Sequence, residues 1–369
     1  MKRRETSPQL SRRDFLGGAL LAGAAATMPD LPAFTRAVKS QPAWLHLAHG
    51  GSIHTFTADA GSLRFLGATP IEDFAAFATH PKLPILYVAR DCAQWEHLPR
   101  GVVSTYAVDS GTQPLRLIAQ TPMALSSTGP RSLAVSACGG SLLVASSTGR
   151  AWNALALDAS GVPGPVAVTR KDAGAAPHGV LFSPREALAA GVDPERERLT
   201  LLQPASGGLN ILARIDAPHG LAAMTPAWTR DGRYLIAADR NGASLSTYAV
   251  DASSQCIEHL HSIAMETPVQ SVLMHTADGV LTLRTEERGS VLELWRVTAG
   301  GLQRESSRAI PERALSMAAS SQEDGMLWLA TEDRLLCLPS LHDAEIHSAR
   351  VSLKSRTARV SLAHQPMLS

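Results

Sequence analysis

Short apolar runs recur along the chain, and polar turn residues separate them. The clearest stretch is Gly232–Asp251, in which the apolar runs Tyr234–Ala237 and Leu245–Val250 flank a polar turn. Apolar and aromatic runs of this length, bounded by Gly, Asn and Asp, predict two strands joined by a hairpin. The end of this stretch, Ser246–Asp251, is repeated letter for letter at Ser104–Asp109. Such a repeat indicates that the chain is built from copies of one unit.

The apolar runs are evenly spaced, with a period near 46 residues. They align on Leu45, Leu86, Leu142, Leu188, Leu235, Leu281 and Leu327. A second apolar run follows several of these leucines at a fixed offset, and strand-like runs precede and follow the pair, so each unit contains four strands. All-β repeats of about 40–50 residues are typical of propeller blades. The pattern predicts an all-β fold, a seven-bladed β-propeller of four-stranded antiparallel blades. A sandwich with a second domain is the alternative, but it does not explain the even spacing.

The first two copies depart from this period. The first copy lacks the strand that precedes its apolar run, whereas Thr357–His364 is a surplus strand-like segment after the last copy. Because a closed ring leaves no terminal blade exposed, we expect this C-terminal strand to complete blade one. The longer interval between Leu86 and Leu142 implies an insertion, which we place at Arg90–Arg100 and predict to be a loop.

The N-terminus carries the pattern of an export signal. Ser11-Arg12-Arg13-Asp14-Phe15-Leu16 resembles the twin-arginine motif, and a run of small and apolar residues follows at Gly17–Ala26. This run is about half as long as the ~20 residues of a membrane-spanning helix, which favours a cleaved signal over an anchor. We therefore predict a signal peptide and short linker at residues 1–34 and one propeller domain at 35–369. The mature protein is expected to be periplasmic or secreted and free of the membrane.

Composition narrows the classes of function. The chain has 34 Lys and Arg against 33 Asp and Glu, so no basic surface for nucleic acid is expected. Its four cysteines show no metal-ligand spacing. Twin-arginine export carries proteins that have already folded in a reducing cytoplasm, so no structural disulfide is predicted. Motifs of serine hydrolases, zinc proteases and P-loop proteins are missing from the sequence. We predict no cofactor, no metal, a small-molecule ligand and a monomer.

One histidine directly precedes a predicted innermost strand. Propeller sites lie where the loops that lead into the innermost strands converge at the mouth of the central channel. His178, within Pro177-His178-Gly179-Val180, has this position. A neutral imidazole there can act as a general base on water or as a general acid. The alternative is a histidine that only fixes a turn. The second Pro-His-Gly motif, which contains His219, falls earlier in its blade and is assigned to a connecting loop.

Charged residues follow several of the apolar strands. Asp239 and Arg240 follow the strand of blade five, and with His178 they are the candidate catalytic residues. Arginines at the channel mouth would suit an anionic substrate, because guanidinium binds carboxylate or phosphate through two parallel hydrogen bonds. The alternative is that these charges merely solvate the surface. The candidate substrate-binding residues are Arg131, Asp193, Arg284 and Arg288.

The blade rhythm and four motifs resemble the seven-bladed propeller lactonases. This family includes propeller-type 6-phosphogluconolactonases and fungal carboxy-muconate cyclases. The motifs are Pro177–Val180, Phe182-Ser183-Pro184, Tyr234–Asp239 and Ser246–Asp251. The resemblance covers nearly the whole mature chain and implies the propeller fold. It also implies a site histidine in a Pro-His motif, which His178 matches.

The chain departs from the family pattern at three other site positions. Met224-Thr225 stands in place of an arginine, Asp239-Arg240 in place of an Asn-Glu pair, and Thr285-Glu286 in place of an Asn-Arg pair. The resemblance implies hydrolysis of a small lactone, such as that of a sugar acid. His178 would be the base, Asp239 would orient it or act as a second base, and Arg240, Arg284 or Arg288 would stabilise the oxyanion. The alternative is a non-catalytic periplasmic propeller that binds a ligand or a protein partner.

Overall fold

A computed structural model describes most of the chain after the N-terminal segment. The described residues are 43–49, 51–59, 62–111, 113–125, 127–164, 168–171, 175–185, 187–205, 208–218, 220–221, 226–239, 243–253, 255–274, 278–298, 300–319, 326–331, 334–338, 347–350 and 359–364. They form 28 β-strands, and none of them lies in a helix that could cross a membrane. The strands belong to a compact unit that runs from Ser40 to Ser369. The predicted signal peptide, and the domain boundary at residue 35, fall outside the described residues.

The strands form seven separate four-stranded antiparallel sheets. Blade one contains β1 (Ala43–His49), β2 (Ser52–Asp59), β3 (Ser62–Pro70) and β28 (Arg359–His364). Blade two contains β4 (Phe74–Thr79), β5 (Ile85–Trp95), β6 (Leu98–Val108) and β7 (Leu115–Pro122). Blade three contains β8 (Pro130–Val135), β9 (Ser141–Ser146), β10 (Ala151–Ala156) and β11 (Val168–Lys171).

The other four blades use consecutive strands in the same way. Blade four contains β12 (Gly179–Phe182), β13 (Ala189–Asp193), β14 (Arg198–Ala205) and β15 (Gly208–Asp216). Blade five contains β16 (Ala227–Trp228), β17 (Tyr234–Ala238), β18 (Ser244–Asp251) and β19 (Cys256–Ala264). Blade six contains β20 (Val269–Met274), β21 (Gly279–Glu286), β22 (Gly289–Thr298) and β23 (Gly301–Ile310). Blade seven contains β24 (Ala314–Ala319), β25 (Leu327–Thr331), β26 (Arg334–Leu338) and β27 (His347–Arg350).

The C-terminal strand closes the ring. β28 pairs antiparallel with β1, from Ala43 opposite His364 to Ala48 opposite Arg359. The same strand contacts both β24 of blade seven and β4 of blade two. The predicted seven-bladed propeller is therefore confirmed, and so is its closure by a strand from the end of the chain.

Each pair of neighbouring blades shares one hydrophobic core. Between blades four and five, Leu188 and Val192 pack with Leu235 and Tyr248. The described residues form seven such clusters, one at each junction around the ring. Because the middle strands of a blade contact a neighbour on both faces, their apolar runs are continuous rather than alternating. Since each blade needs its neighbours to bury both faces, the sequence period and the closed ring have the same physical origin.

The insertion in blade two is not a loop, so the prediction for Arg90–Arg100 is wrong. These residues extend the hairpin of β5 and β6, and the two strands turn at Glu96 and His97, with φ values of 49° and 72°. Positive φ at both central residues is the pattern of a type I′ hairpin turn. This hairpin could not be recognised from the sequence, because its turn has no Asn or Gly and because proline is unusual in a strand, as at Pro99.

A buried histidine in blade one makes stability depend on pH. His46 has no exposed surface, and its Nδ1 lies 3.1 Å from Thr55 Oγ1. Burial lowers the pKa of His46 from 6.5 to about 3. Between about pH 6.5 and pH 3, His46 is therefore protonated in the unfolded chain but neutral in the folded chain. Stability from this group is complete at neutral pH and is lost as the pH falls toward 3.

We expect His46→Leu to reduce the acid sensitivity of the fold. Between pH 7.5 and pH 5, one such histidine removes about 2 kcal/mol of unfolding free energy, at up to about 1.4 kcal/mol per pH unit. Urea denaturation at several pH values should give a shallower slope for His46→Leu than for the wild type. His97→Gln, at the exposed hairpin turn, should keep the wild-type slope. Equal slopes for wild type and His46→Leu would contradict the assignment.

Candidate functional site

The candidate residues lie at one edge of the ring. In each blade the innermost strand begins where the next strand ends, as the pairing of Gly179 in β12 with Val192 in β13 shows. His178 directly precedes β12, and Asp193 ends β13. The same edge holds Arg131 near the start of β8, and Arg284 near the end of β21. These four residues therefore share one edge of the ring.

His178 is half-buried and has a defined orientation. Its backbone N–H donates to Val192 O at 2.9 Å, and its ring Nδ1 lies 2.7 Å from Ala176 O. Because a carbonyl oxygen can only accept, Nδ1 must carry the proton. The lone pair of the neutral ring is then on Nε2, which is the atom that can take a proton from water.

Arg131 and His178 lie near the starts of the innermost strands of neighbouring blades. Val180, two residues after His178, donates its N–H to Ser132 Oγ at 3.2 Å, so β8 and β12 begin side by side. Gly191 of blade four shows how closely the blades approach, since a Cβ there would lie 2.4 Å from Trp152 of blade three. The first strands of blades three and four therefore begin next to each other at the same edge of the ring.

The side chain of Arg131 is exposed and anchored at one nitrogen. Arg131 is the extra residue of a β-bulge between Pro130 and Ser132, and bulges commonly redirect a side chain near functional sites. Its Nε donates to Ser147 Oγ at 3.0 Å. Within the described residues, its two terminal nitrogens have no hydrogen-bond partner. They can donate to an anion or to a developing oxyanion.

The extended hairpin of blade two supports the segment that leads to Arg131. Asp91 Oδ1 accepts a hydrogen bond from Gly129 N at 3.1 Å, and Arg100 Nε donates to Met123 O. Gly101 N donates to Ser127 O at 3.0 Å. The insertion therefore helps to hold residues 123–129 in place beside the start of β8.

Asp193 is buried, and within the described part of the chain its carboxylate accepts from backbone N–H groups only. It is 2% exposed. Its Oδ1 accepts from Glu195 N and Arg196 N, both at 3.1 Å, and its Oδ2 accepts from Ala176 N at 3.0 Å. The carboxylate therefore stabilises the turn after β13 and the segment before β12. These contacts leave it little capacity to bind a substrate directly.

Asp239 has a similar position in blade five. It is 8% exposed, and its Oδ1 accepts from Ala243 N at 2.8 Å, while its Oδ2 accepts from Ser244 Oγ at 3.0 Å. The carboxylate therefore stabilises the turn between β17 and β18. Arg240 lies in that turn by sequence and is outside the described residues, as is His219.

Arg284 lies inside blade six rather than at the open surface. It is 3% exposed and Glu293 is 1% exposed. The two side chains pair through Nε and Oε2 at 3.0 Å and through Nη2 and Oε1 at 2.9 Å. Sequence inspection missed Glu293 because the partner lies on the next strand, where only the pairing of β21 with β22 brings it near. Arg288, by contrast, is exposed on the turn between these strands.

We expect Glu293→Gln to destabilise the fold by about 3 kcal/mol, because it leaves the buried charge of Arg284 with only the exposed carboxylate of Glu266, 3.8 Å away. Denaturant unfolding measures this loss. The double variant Arg284→Met/Glu293→Met removes both charges and should be closer to the wild type. A Glu293→Gln protein as stable as the wild type would mean that Arg284 does not depend on Glu293.

No cluster of three or more His, Cys, Asp or Glu side chains within the described ranges could hold a metal ion. The Nε2 of His178 and the terminal nitrogens of Arg131 have no hydrogen-bond partner among the described residues. These groups suit a small polar or anionic molecule.

The fold and the export signal define the class as an exported seven-bladed β-propeller. The model of the twin-arginine translocation pathway signal sequence matches residues 9–29. This match confirms the predicted export signal and the predicted periplasmic or secreted localisation. No curated protein sequence matches the chain significantly.

Solved structures with this fold include several proteins with lactonase names. A protein from Bacteroides uniformis, provisionally assigned as a 6-phosphogluconolactonase, has a TM-score of 0.69 and 13% identity, covering 87% of this chain and 100% of its own. A similarly assigned protein from Bacteroides fragilis has a TM-score of 0.71 and 11% identity, covering 88% and 99%. The periplasmic gluconolactonase PpgL of Pseudomonas aeruginosa has a TM-score of 0.63 and 16% identity, covering 86% and 99%. The resemblance to propeller lactonases is thereby confirmed at the level of the fold.

Proposed function

We propose that the protein is an exported lactonase-like hydrolase that opens a small lactone, such as that of a sugar acid, at the mouth of the central channel. The observation that supports this proposal is that His178 and Arg131 lie at the starts of the innermost strands of two neighbouring blades. The strands that hold them are joined by the hydrogen bond between Val180 and Ser132. A base and a cationic donor are the two groups that hydrolysis of an ester bond requires.

His178 acts first as a base in the proposed reaction. Its Nε2 accepts a proton from water, and the resulting hydroxide attacks the lactone carbonyl. Arg131 donates N–H groups to the oxyanion that forms, or binds a carboxylate of the substrate. The carbon–oxygen bond of the ring then breaks, and the imidazolium returns its proton to the leaving alkoxide. The product is the open hydroxy acid.

The remaining candidates complete the proposed site in supporting roles. Arg240 and Arg288 lie by sequence on turns at the same edge and would add positive charge for an anionic substrate. Asp239 stabilises the turn in which Arg240 lies. Arg284 acts through the stability of blade six, because its guanidinium is paired with Glu293.

Two further observations support the substrate class. Structures of the same fold include proteins named as 6-phosphogluconolactonases and one named as a periplasmic gluconolactonase. The export signal places this chain outside the cytoplasm. A phosphorylated sugar lactone is a poor candidate substrate in that compartment. An unphosphorylated lactone therefore fits the chain better.

A second candidate function is a propeller that binds a ligand without turnover. The burial of Arg284 in an ion pair favours it, because this arginine is not available to an oxyanion. The functions are separated by assaying the purified protein against a panel of sugar-acid lactones, with spontaneous hydrolysis measured in parallel. Hydrolysis above the spontaneous rate supports the enzyme. Rates equal to the spontaneous rate throughout the panel, with saturable binding by calorimetry, would establish the binding protein instead.

A further inference from the structure

We propose that Asp193 is a positioning residue for His178, and that it acts through Ala176 to keep the imidazole proton on Nδ1. This role goes beyond the proposed function and rests on it only for its catalytic consequence. It also assigns the orienting carboxylate to blade four, whereas the sequence pointed to Asp239 of blade five.

The connection runs through the two backbone groups of a single residue. Ala176 donates its N–H to Asp193 Oδ2 at 3.0 Å. Its carbonyl oxygen accepts from His178 Nδ1 at 2.7 Å. Ala176 is 4% exposed, so water does not compete freely for either group. A shift of Ala176 would therefore change the acceptor that faces His178.

The rest of Asp193 is fixed from the other side. Its Oδ1 accepts from Glu195 N and Arg196 N in the turn after β13. An ionised carboxylate that accepts three backbone N–H groups makes strong, directional hydrogen bonds. The carboxylate thus connects the segment before β12 to the end of β13. The end of β13 also holds His178 directly, because Val192 O accepts the backbone N–H of His178.

The two residues before His178, Ala176 and Pro177, have little conformational freedom. Pro177 separates Ala176 from His178 and has a fixed φ. The residue before a proline is itself restricted to extended conformations. Because both residues are constrained, the hydrogen bond from Ala176 to Asp193 sets where the carbonyl of Ala176 points.

The position of the proton decides whether His178 can serve as a base. A histidine that is free in water favours the tautomer with the proton on Nε2. In that tautomer the lone pair is on Nδ1, which faces the backbone and cannot receive a proton from substrate water. A hydrogen bond from one ring nitrogen to a fixed acceptor selects the useful tautomer. Asp193 therefore contributes to the chemistry without contacting the substrate.

The test is the tautomer of His178, read by long-range proton–nitrogen correlation spectra of protein labelled with ¹⁵N-histidine near pH 8. The His178→Gln spectrum identifies the signals. We expect the wild type to show a protonated Nδ1 and an unprotonated Nε2. Asp193→Asn should shift His178 toward the protonated-Nε2 tautomer, because the amide cannot accept all three N–H groups. Asp239→Asn, at the matching place in blade five, should leave the His178 signals unchanged.

Each alternative outcome has a defined meaning. Unchanged His178 signals in Asp193→Asn, or a shift in Asp239→Asn alone, would overturn the proposal. If Asp193→Asn does not fold, Ala176→Pro also removes the N–H that Asp193 Oδ2 accepts, while it adds a ring and fixes φ at residue 176, and the same tautomer shift is expected. Because the spectra require no substrate, a protein without lactonase activity can still confirm the role of Asp193. In an active protein, Asp193→Asn should lower kcat more than it changes KM.

Discussion

Deletion of Ser355–Ser369 is expected to lower the melting temperature by about 10 °C or more. The deletion removes β28, so β1 keeps its pairing with β2 but loses its partner on the inner edge. Six residue pairs join the two strands. At about 1 kcal/mol net for each hydrogen bond, a pairing of this length is worth on the order of 5 kcal/mol. With an unfolding entropy of about 2.1 cal/mol/K per residue, this loss corresponds to roughly 7 °C for the unit Ser40–Ser369. The junctions of blade one with blades seven and two should loosen as well, which raises the expected shift.

The matched control is a chain that ends after His364. It lacks only the five residues Gln365–Ser369, which follow β28, and should melt like the wild type. Calorimetry or circular dichroism on both deletions measures the difference. If the two truncated proteins were equally stable, β28 would not hold the ring closed.

His178→Gln is expected to reduce the rate of lactone hydrolysis by about 10²–10⁴-fold, which is the usual contribution of a general base. Glutamine has a similar size and can donate and accept hydrogen bonds, but it cannot take a proton from water. The loss should fall on kcat, while KM changes little, because the proposed anion contact is made by Arg131. The measurement is steady-state hydrolysis of the best lactone in the panel.

The sequence supplies a control for this substitution. His219 has the same Pro-His-Gly neighbours as His178 but is not assigned to the site. His219→Gln should therefore retain wild-type activity. Equal rates for His178→Gln and the wild type, with hydrolysis well above the spontaneous rate, would show that the lactonase uses another base.

The fold could be predicted from the sequence because its signal is repeated. Each blade presents the same apolar run to its neighbours, so Leu142, Leu188 and Leu235 occupy matching places. Closure of the ring was predictable as well, because the first repeat lacked one strand and a surplus strand-like segment followed the last repeat. The hairpin at Arg90–Arg100 was not, since a type I′ turn of Glu96 and His97 has no local sequence signature.

The candidate site was less accessible to sequence reasoning. An aspartate after a strand looks the same whether it faces a channel or accepts backbone N–H groups in a turn. Asp193 and Asp239 both do the latter. Arg284 resembled a free cation because Glu293, its partner, is brought near only by strand pairing. The alignment of the strands next to Arg131 and His178 depends on a contact between two blades, Ser132 with Val180. No pattern within one repeat encodes such a contact.

Closure by β28 also bears on synthesis and export. Domains commonly fold from the N-terminus while the ribosome is still working, but here the first blade lacks its innermost strand until residues 359–364 have been made. The ring can therefore close only after residues 359–364 have been translated. The twin-arginine pathway carries folded proteins, and its signal lies at the other end of the chain, at residues 9–29. A chain that terminates before β28 therefore carries the export signal but cannot form the closed propeller. Such a chain should be a poor substrate for a pathway that exports folded proteins.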